Sequence, residues 1–154
     1  KTSVVAAIVR AMPELEWTAV KLTSHHHVEE PGRGDTARYL EAGAVCARLM
    51  DEAAADLAPL AAGGGNIICE STRVPRGMKP DCSLLLINPL QPDWKDSARE
   101  FVAHADALVV VGEGQPPAWL GSKLAFRVAP PLWVSAALVQ FVRERLTGGR
   151  ASGT

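Results

Sequence analysis

The chain has 154 residues, of which 47% are hydrophobic, so it is long enough to bury the core of one domain. Its formal net charge is -1, and 16 basic residues are scattered among 17 acidic ones, which argues against the basic surface of a nucleic-acid-binding protein. No apolar run reaches the roughly 18 residues that a transmembrane helix needs, so we expect neither nucleic acid nor a membrane among the partners.

The cysteines Cys46, Cys69 and Cys82 are odd in number and lack the C-x-x-C spacing of a metal or redox motif. Each lies in or beside an apolar segment, which favours reduced thiols in a protein core. Reduced thiols are typical of the cytoplasm, so we predict a cytoplasmic protein.

Apolar residues recur at two different spacings along the chain. A period near 3.6 residues predicts helices, whereas continuous apolar runs bounded by turn residues predict buried strands. The predicted helices cover residues 1–12, 35–44, 51–62, 95–104 and 132–146. The predicted strands cover residues 17–22, 45–50, 66–70, 83–88, 107–112 and 124–128. In the second helix, Asp35 is the expected N-cap and Gly43 the expected stop.

Strands that alternate with helices predict a parallel sheet with helices on both faces. The expected fold class is therefore α/β, with a three-layer, doubly wound and mostly parallel sheet. We assign residues 1–147 to a single domain and residues 148–154 to a flexible tail. In such a fold ligands bind beyond the carboxyl ends of the strands, and Lys21 and Glu70 stand at two of these ends.

The first two residues, Lys1 and Thr2, open an amphipathic helix. Backbone N–H groups and the helix dipole attract phosphate to a helix start, where the motif G-x-x-x-x-G-K-[ST] places a lysine and a serine or threonine. Because Lys1-Thr2 matches the end of that motif, we expect a glycine loop and a strand to precede it in the natural protein. The alternative is a solvated lysine at an ordinary helix start.

Several short segments follow the opening helix in a characteristic order. They are Val20-Lys21 at a strand end, His25-His26-His27 in the next loop, Gly-Arg-Gly-Asp-Thr at residues 32–36, Glu-Ala-Gly-Ala at residues 41–44, and Glu70 after an apolar strand. Over residues 1–72 this order resembles the MobB-like family, the molybdopterin-guanine dinucleotide biosynthesis adaptor proteins, which are P-loop nucleotide binders. From residue 79 onward the likeness is general to P-loop proteins. The resemblance implies a sheet of the P-loop NTPase type.

The resemblance also implies Mg²⁺ together with GTP or ATP as bound cofactors. Lys1 would neutralise the β- and γ-phosphates, and Thr2 would ligate Mg²⁺ through its hydroxyl. Glu70 would hold Mg²⁺ through water or orient an attacking water, which makes it the candidate catalytic residue. Lys21 and Asp35 are further candidates for the nucleotide site, with a surface lysine and a helix cap as the alternatives.

The three adjacent histidines have a separate interpretation. Adjacent residues of an extended loop point to alternate sides, so His25 and His27 could converge on one metal ion while His26 faces away. No zinc-type spacing accompanies them. A loop that contacts a substrate or a partner is the alternative.

The leading interpretation is a nucleotide-binding accessory protein of molybdenum-cofactor biosynthesis, with slow hydrolysis at most. Its further partners would be an enzyme, an anionic pterin-type substrate or a second copy in a homodimer. One alternative is an ATP-dependent small-molecule kinase or a ligase resembling dethiobiotin synthetase, and another is an interaction module without turnover. GTP-specific relatives read guanine with Asn-Lys-x-Asp, where this chain has Val111-Gly112-Glu113-Gly114. We therefore expect weak base discrimination or a preference for ATP.

Overall fold

The structure is a computed structural model that describes residues 1–24, 32–72, 79–91 and 96–150. The chain divides into two compact units, residues 1–78 and residues 79–154. Each unit contains a three-stranded sheet in which neighbouring strands are parallel, accompanied by helices. The predicted α/β class with a mostly parallel sheet is thus confirmed. The doubly wound, three-layer P-loop arrangement and the single domain over residues 1–147 stay predictions.

The first unit alternates helices with strands along the chain. Its helices are α1 (Thr2–Ala11), α2 (Asp35–Glu41) and α3 (Ala58–Ala62). Its strands are β1 (Trp17–Thr23), β2 (Cys46–Asp51) and β3 (Asn66–Glu70), in the spatial order β2-β1-β3. All the strands predicted for this part of the sequence are present, with bounds that shift by at most one residue.

The middle strand of this sheet, β1, supplies much of the core of the unit. Val20 has no exposed surface, and Leu22 is buried in the same cluster. Because both neighbours run parallel to β1, the carboxyl ends of the strands meet at one side of the sheet. There Lys21 pairs with Leu49 of β2 and with Glu70 of β3. We call this side the carboxyl edge of the first unit.

Helix α1 forms as predicted, because apolar residues repeat along it with a helical period. Its buried apolar residues include Val4, Val5, Ile8 and Val9. Pro13, which has no backbone N–H, follows the helix and begins a short 3-10 turn, Pro13–Leu15. The indole Nε1 of Trp17 donates a hydrogen bond to the carbonyl oxygen of the buried Met12 at 2.9 Å. This contact holds the end of α1 against the start of β1.

Helix α3 is much shorter than the sequence predicts, and the expected start at residue 51 is wrong. Asp51 instead extends β2 and pairs with Thr23 of β1, and its Oδ1 atom accepts a backbone N–H two residues later at 2.7 Å. Asp56 Oδ1 likewise accepts the N–H of Ala58 at 3.0 Å. Side-chain bonds of this kind stabilise turns, so they override the helix propensity of the alanines between them.

The second unit has the same alternation. Its helices are α4 (Asp96–His104) and α5 (Ala136–Arg150), with a 3-10 turn at Ala118–Leu120. Its strands are β4 (Leu84–Ile87), β5 (Ala107–Val111) and β6 (Ala125–Val128), in the spatial order β4-β5-β6. The predicted strands are again present. Across the described part of both units, no helix is long and apolar enough to cross a membrane.

The middle strand β5 is the most buried of the described strands. Its first four residues are at most 2% exposed, and they are Ala107, Leu108, Val109 and Val110. Leu108 and Val110 pack with Leu85 and Ile87 of β4, and Phe101 of α4 covers the same cluster. Burial of successive residues, which point to opposite faces, explains why this strand is a continuous apolar run rather than an alternating one.

Helix α5 begins and ends later than the predicted range of 132–146. The Oγ atom of Ser135 accepts the backbone N–H of Leu138 at 3.2 Å, which is the hydrogen bond of an N-cap. The helix then continues to Arg150. Residues 148–150 therefore belong to α5 and not to the predicted tail, and residues 151–154 lie outside the described residues.

Candidate functional site

A hydrogen-bonded cluster at the carboxyl edge of the first unit is the candidate site. Thr2 lies in the first turn of α1, Tyr39 in α2, and Glu70 at the end of β3. The Thr2 hydroxyl donates to Glu70 Oε2 at 2.9 Å, and the Tyr39 hydroxyl donates to the same oxygen at 2.5 Å. Tyr39 has no exposed surface, and Thr2 is only 9% exposed. Two helices therefore fix one carboxylate at the end of a parallel strand.

Lys1 lies beside this cluster. Its Nζ atom donates to the carbonyl oxygen of Ser71 at 3.2 Å, one residue beyond Glu70. The sequence predicts Lys1, Thr2 and Glu70 as the phosphate, metal and catalytic residues, although Thr2 and Glu70 are 68 positions apart. The fold brings these residues together at one edge of the sheet.

Lys21 and Asp35 are partners of one another. Lys21 Nζ forms an ion pair with Asp35 Oδ2, and both side chains are about three-quarters buried. Arg38 Nη1 lies 3.8 Å from Asp35 Oδ1, so the carboxylate has cations on two sides. The expectation that Asp35 is the helix N-cap is wrong, because Gly34 occupies that position and Asp35 is the first residue of α2. Asp35 instead compensates positive charge near the site.

A second carboxylate, Glu52, follows β2 at the same edge. Its Oε1 atom accepts hydrogen bonds from Ser71 Oγ at 2.9 Å and from Thr72 Oγ1 at 3.2 Å. The segment that follows β3 is thereby held against the segment that follows β2. Glu52 thus fixes the chain next to Glu70.

Tyr39, Arg38 and Glu52 are the residues of this edge that the sequence did not predict. For Tyr39 a signal was available, because it is the one tyrosine of the chain and stands four residues after Asp35. This spacing places both residues on one face of a helix. Glu52 directly follows β2 only in the structure, because the sequence predicts the end of that strand at residue 50 and a helix from residue 51.

The oxygen atoms of the cluster fit a Mg²⁺ ion. The hydroxyl of Thr2 gives its one proton to Glu70, so its lone pairs remain available. Glu70 Oε1 has no hydrogen bond with any residue in the described ranges, since both donors bind Oε2. Mg²⁺ keeps several waters and takes few protein ligands, so a hydroxyl and one carboxylate suit it.

The described residues offer no metal site built from several protein ligands. They contain no group of three or more His, Cys, Asp or Glu side chains that could hold a metal ion. The predicted pair His25 and His27 lies outside the described residues. Burial, followed by the charges of Glu70 and Glu52, raises the pKa of the free Cys69 thiol to about 11. This thiol therefore stays protonated at neutral pH, which makes it a poor nucleophile and metal ligand.

The comparisons with known proteins add no relative. No protein-family model, no curated protein and no solved structure matches the chain. The MobB-like resemblance of residues 1–72 stays a prediction from the sequence, and the contacts at the carboxyl edge define the candidate site.

Proposed function

We propose that the carboxyl edge of the first unit binds a nucleoside triphosphate with Mg²⁺, in a cytoplasmic MobB-like accessory protein with slow hydrolysis at most. The hydrogen bond from Thr2 to Glu70 carries this proposal. It joins the first turn of a helix to the acidic residue that ends a parallel strand. A hydroxyl paired in this way turns its lone pairs away from the carboxylate and towards a ligand.

The start of α1 supplies what a phosphate chain requires. The first N–H groups of an α-helix have no partner inside the helix, and the helix dipole adds positive potential there. Lys1 adds a full positive charge at the same edge, since its Nζ atom lies 3.2 Å from the carbonyl oxygen of Ser71. Lys1 would therefore meet the β- and γ-phosphates, as the motif predicts.

Thr2 and Glu70 would both bind the metal ion, and Glu70 would also orient an attacking water. Thr2 would ligate Mg²⁺ through its hydroxyl oxygen and Glu70 through water, and the bound ion would neutralise charge on the phosphates. For hydrolysis, Glu70 Oε1 would accept a hydrogen bond from a water molecule and orient it towards the terminal phosphate. Lys21 and Asp35 would act more weakly, because Lys21 reaches a phosphate only when its ion pair with Asp35 opens.

Titration calorimetry with ATP and with GTP, each with and without Mg²⁺, tests this function on the protein expressed from its complete gene. We expect both nucleotides to bind in the presence of Mg²⁺, with ATP bound at least as tightly as GTP. A hundredfold preference for GTP, about 2.7 kcal/mol, would contradict the base choice inferred from residues 111–114. Failure of both nucleotides to bind would contradict the proposed function itself.

A matched pair of variants locates the binding. Thr2→Val removes the hydroxyl that donates to Glu70, whereas Thr72→Val removes a hydroxyl at the same edge that donates to Glu52. We expect about a tenfold loss of Mg²⁺-nucleotide affinity in the first variant and no loss in the second. Turnover then separates the alternatives, because a small-molecule kinase should reach about 1–100 per second with its substrate and an accessory protein should not.

A further inference from the structure

The contact between Tyr39 and Glu70 goes beyond what burial of a tyrosine requires. The hydroxyl of a buried tyrosine needs a hydrogen-bond acceptor of some kind. Here the acceptor is a carboxylate oxygen that already receives the proton of Thr2. A hydroxyl that donates to an ionised carboxylate forms a charge-assisted hydrogen bond, which is stronger than a bond to a neutral acceptor.

The position of Tyr39 is set by the end of α2. Gly43 has a φ of 106°, and its N–H donates to the carbonyl oxygen of Leu40 at 2.9 Å. The N–H of Ala44 donates to the carbonyl oxygen of Tyr39 at 3.0 Å. These two bonds form a Schellman motif, which ends the helix and fixes the backbone of Tyr39 itself.

A second contact ties the same turn of α2 to α1. Arg38 Nη2 donates to Ser3 Oγ at 2.9 Å, next to Thr2 in the first turn of α1. The two hydroxyls that bind Glu70 therefore come from helices that also contact each other directly. Both donors reach Oε2 from positions that the backbone determines.

We propose that Tyr39 is a positioning residue of the nucleotide site. Together with Thr2 it holds Glu70 Oε2, so that Oε1 is the oxygen presented to the metal-bound water. This role rests on the proposed nucleotide function. The two oxygens of this carboxylate then have different roles: the protein binds Oε2, and Oε1 is left for the ligand.

Tyr39→Phe tests this role, because it removes the hydroxyl and keeps the ring that fills the core. We expect the Mg²⁺ concentration that half-saturates the gain in ATP affinity to rise about fivefold, since one hydrogen bond to the carboxylate is lost. Affinity for ATP without Mg²⁺ should stay unchanged. Thr72→Val is the matched control, and neither quantity should change in it.

A structural role for Tyr39 gives different results. If Tyr39→Phe loses affinity for ATP equally with and without Mg²⁺, the substitution has damaged the fold. If it loses no affinity, the bond to Glu70 only satisfies the hydrogen-bonding requirement of a buried hydroxyl. Either result overturns the positioning role. If the wild-type protein does not bind ATP, with or without Mg²⁺, both the proposed function and the role of Tyr39 are contradicted. If the wild type binds Mg²⁺ and ATP as expected and the half-saturating Mg²⁺ concentration is the same in Tyr39→Phe, only the role of Tyr39 is contradicted.

A ligand-free measurement keeps the contact testable even if Tyr39→Phe folds poorly. Tyr39 is the one tyrosine of the chain, so the tyrosine doublet of the Raman spectrum reports on it alone. In the wild-type protein the doublet should show a strong hydrogen-bond donor, and in Glu70→Gln it should shift towards a weaker one. An identical doublet in the two proteins would overturn the inference without any nucleotide being present.

Discussion

The two units have the same sheet architecture and different edges. In each, a middle strand lies between two parallel neighbours. In the second unit the middle strand β5 is almost wholly buried, whereas three of the seven residues of the middle strand β1 in the first unit are only partly buried. By burial of its middle strand, the second unit therefore has the better-packed sheet.

The side chains at the carboxyl edges reverse that ranking for function. In the second unit Arg127 of β6 donates to the carbonyl oxygens of Gly112 at 2.5 Å and of Gly114 at 2.9 Å, so a side chain clamps a main-chain loop. In the first unit two hydroxyls clamp a carboxylate and leave its other oxygen available to a ligand. The carboxyl edge of such a sheet becomes a candidate site only in the first unit, where hydroxyl groups from two helices donate to an acidic side chain.

The charged pairs differ in a similar way. In the second unit Asp106 stands at the amino end of β5, where its carboxylate accepts the N–H of Ser83 at 2.7 Å and pairs with Arg145 at 3.3 Å. In the first unit the pair of Lys21 and Asp35 lies at the carboxyl edge, beside Glu70. An ion pair at the amino end stabilises the sheet, whereas one at the carboxyl edge also sets the potential that a bound anion meets.

The largest effect that we expect on stability occurs at high pH, where ionisation of the Cys69 thiol favours the unfolded state. Burial, then Glu70 and Glu52, raise its pKa from 9.0 to about 11 in the folded protein. Because the folded pKa lies above the unfolded one, the stabilisation is complete below pH 9 and is lost as the pH rises towards the folded pKa. The free energy of unfolding should fall by about 2 kcal/mol from this group by about pH 11.

Urea denaturation of the wild type and of Cys69→Ser across this pH range measures that effect. The serine variant should lack this part of the decrease. Cys82→Ser gives the corresponding experiment in the second unit, where burial and then Asp106 raise the pKa of the thiol to about 12. If the wild type and Cys69→Ser lose stability in parallel, the thiol of Cys69 is not held protonated by the first unit.

A smaller effect comes from two glycines, one in each unit. Gly43, with φ at 106°, has the left-handed conformation that a side chain disfavours, so Gly43→Ala should destabilise the chain by about 1–2 kcal/mol. Gly148 lies exposed in α5, and a Cβ atom there would meet nothing within 4 Å, so Gly148→Ala should stabilise by about 0.5–1 kcal/mol or less at this helix end. Chemical denaturation gives both signs, and a stabilising Gly43→Ala would contradict the Schellman motif.

The sequence predicted those features that depend on local pattern. Continuous apolar runs located the strands, and a carboxylate directly after one of them located Glu70. The start of α5 and the shortness of α3 were missed, because single side-chain bonds at Ser135 and Asp51 decided them. Such bonds compete with helix propensity over only one turn, so they leave little trace in periodicity.

The site was predictable only in part for a related reason. Thr2 and Glu70 carry motif and strand-end signals, whereas Tyr39 has only the weaker signal of its four-residue spacing from Asp35. The pairing of Asp35 with Lys21 requires knowledge of where α2 lies against β1, which residue spacing does not contain. Contacts between distant elements were therefore the part that needed the structure.

The Mg²⁺ dependence of nucleotide affinity in Glu70→Gln tests the central claim most directly. The substitution removes the charge but keeps the shape, and the amide oxygen can still accept the hydroxyls of Thr2 and Tyr39. Affinity should become nearly indifferent to Mg²⁺, and any hydrolysis should fall tenfold or more, about 1.4 kcal/mol in the barrier, while the protein stays folded. A variant with an unchanged melting temperature and unchanged Mg²⁺ dependence would contradict the assignment of Glu70 as the metal-binding carboxylate.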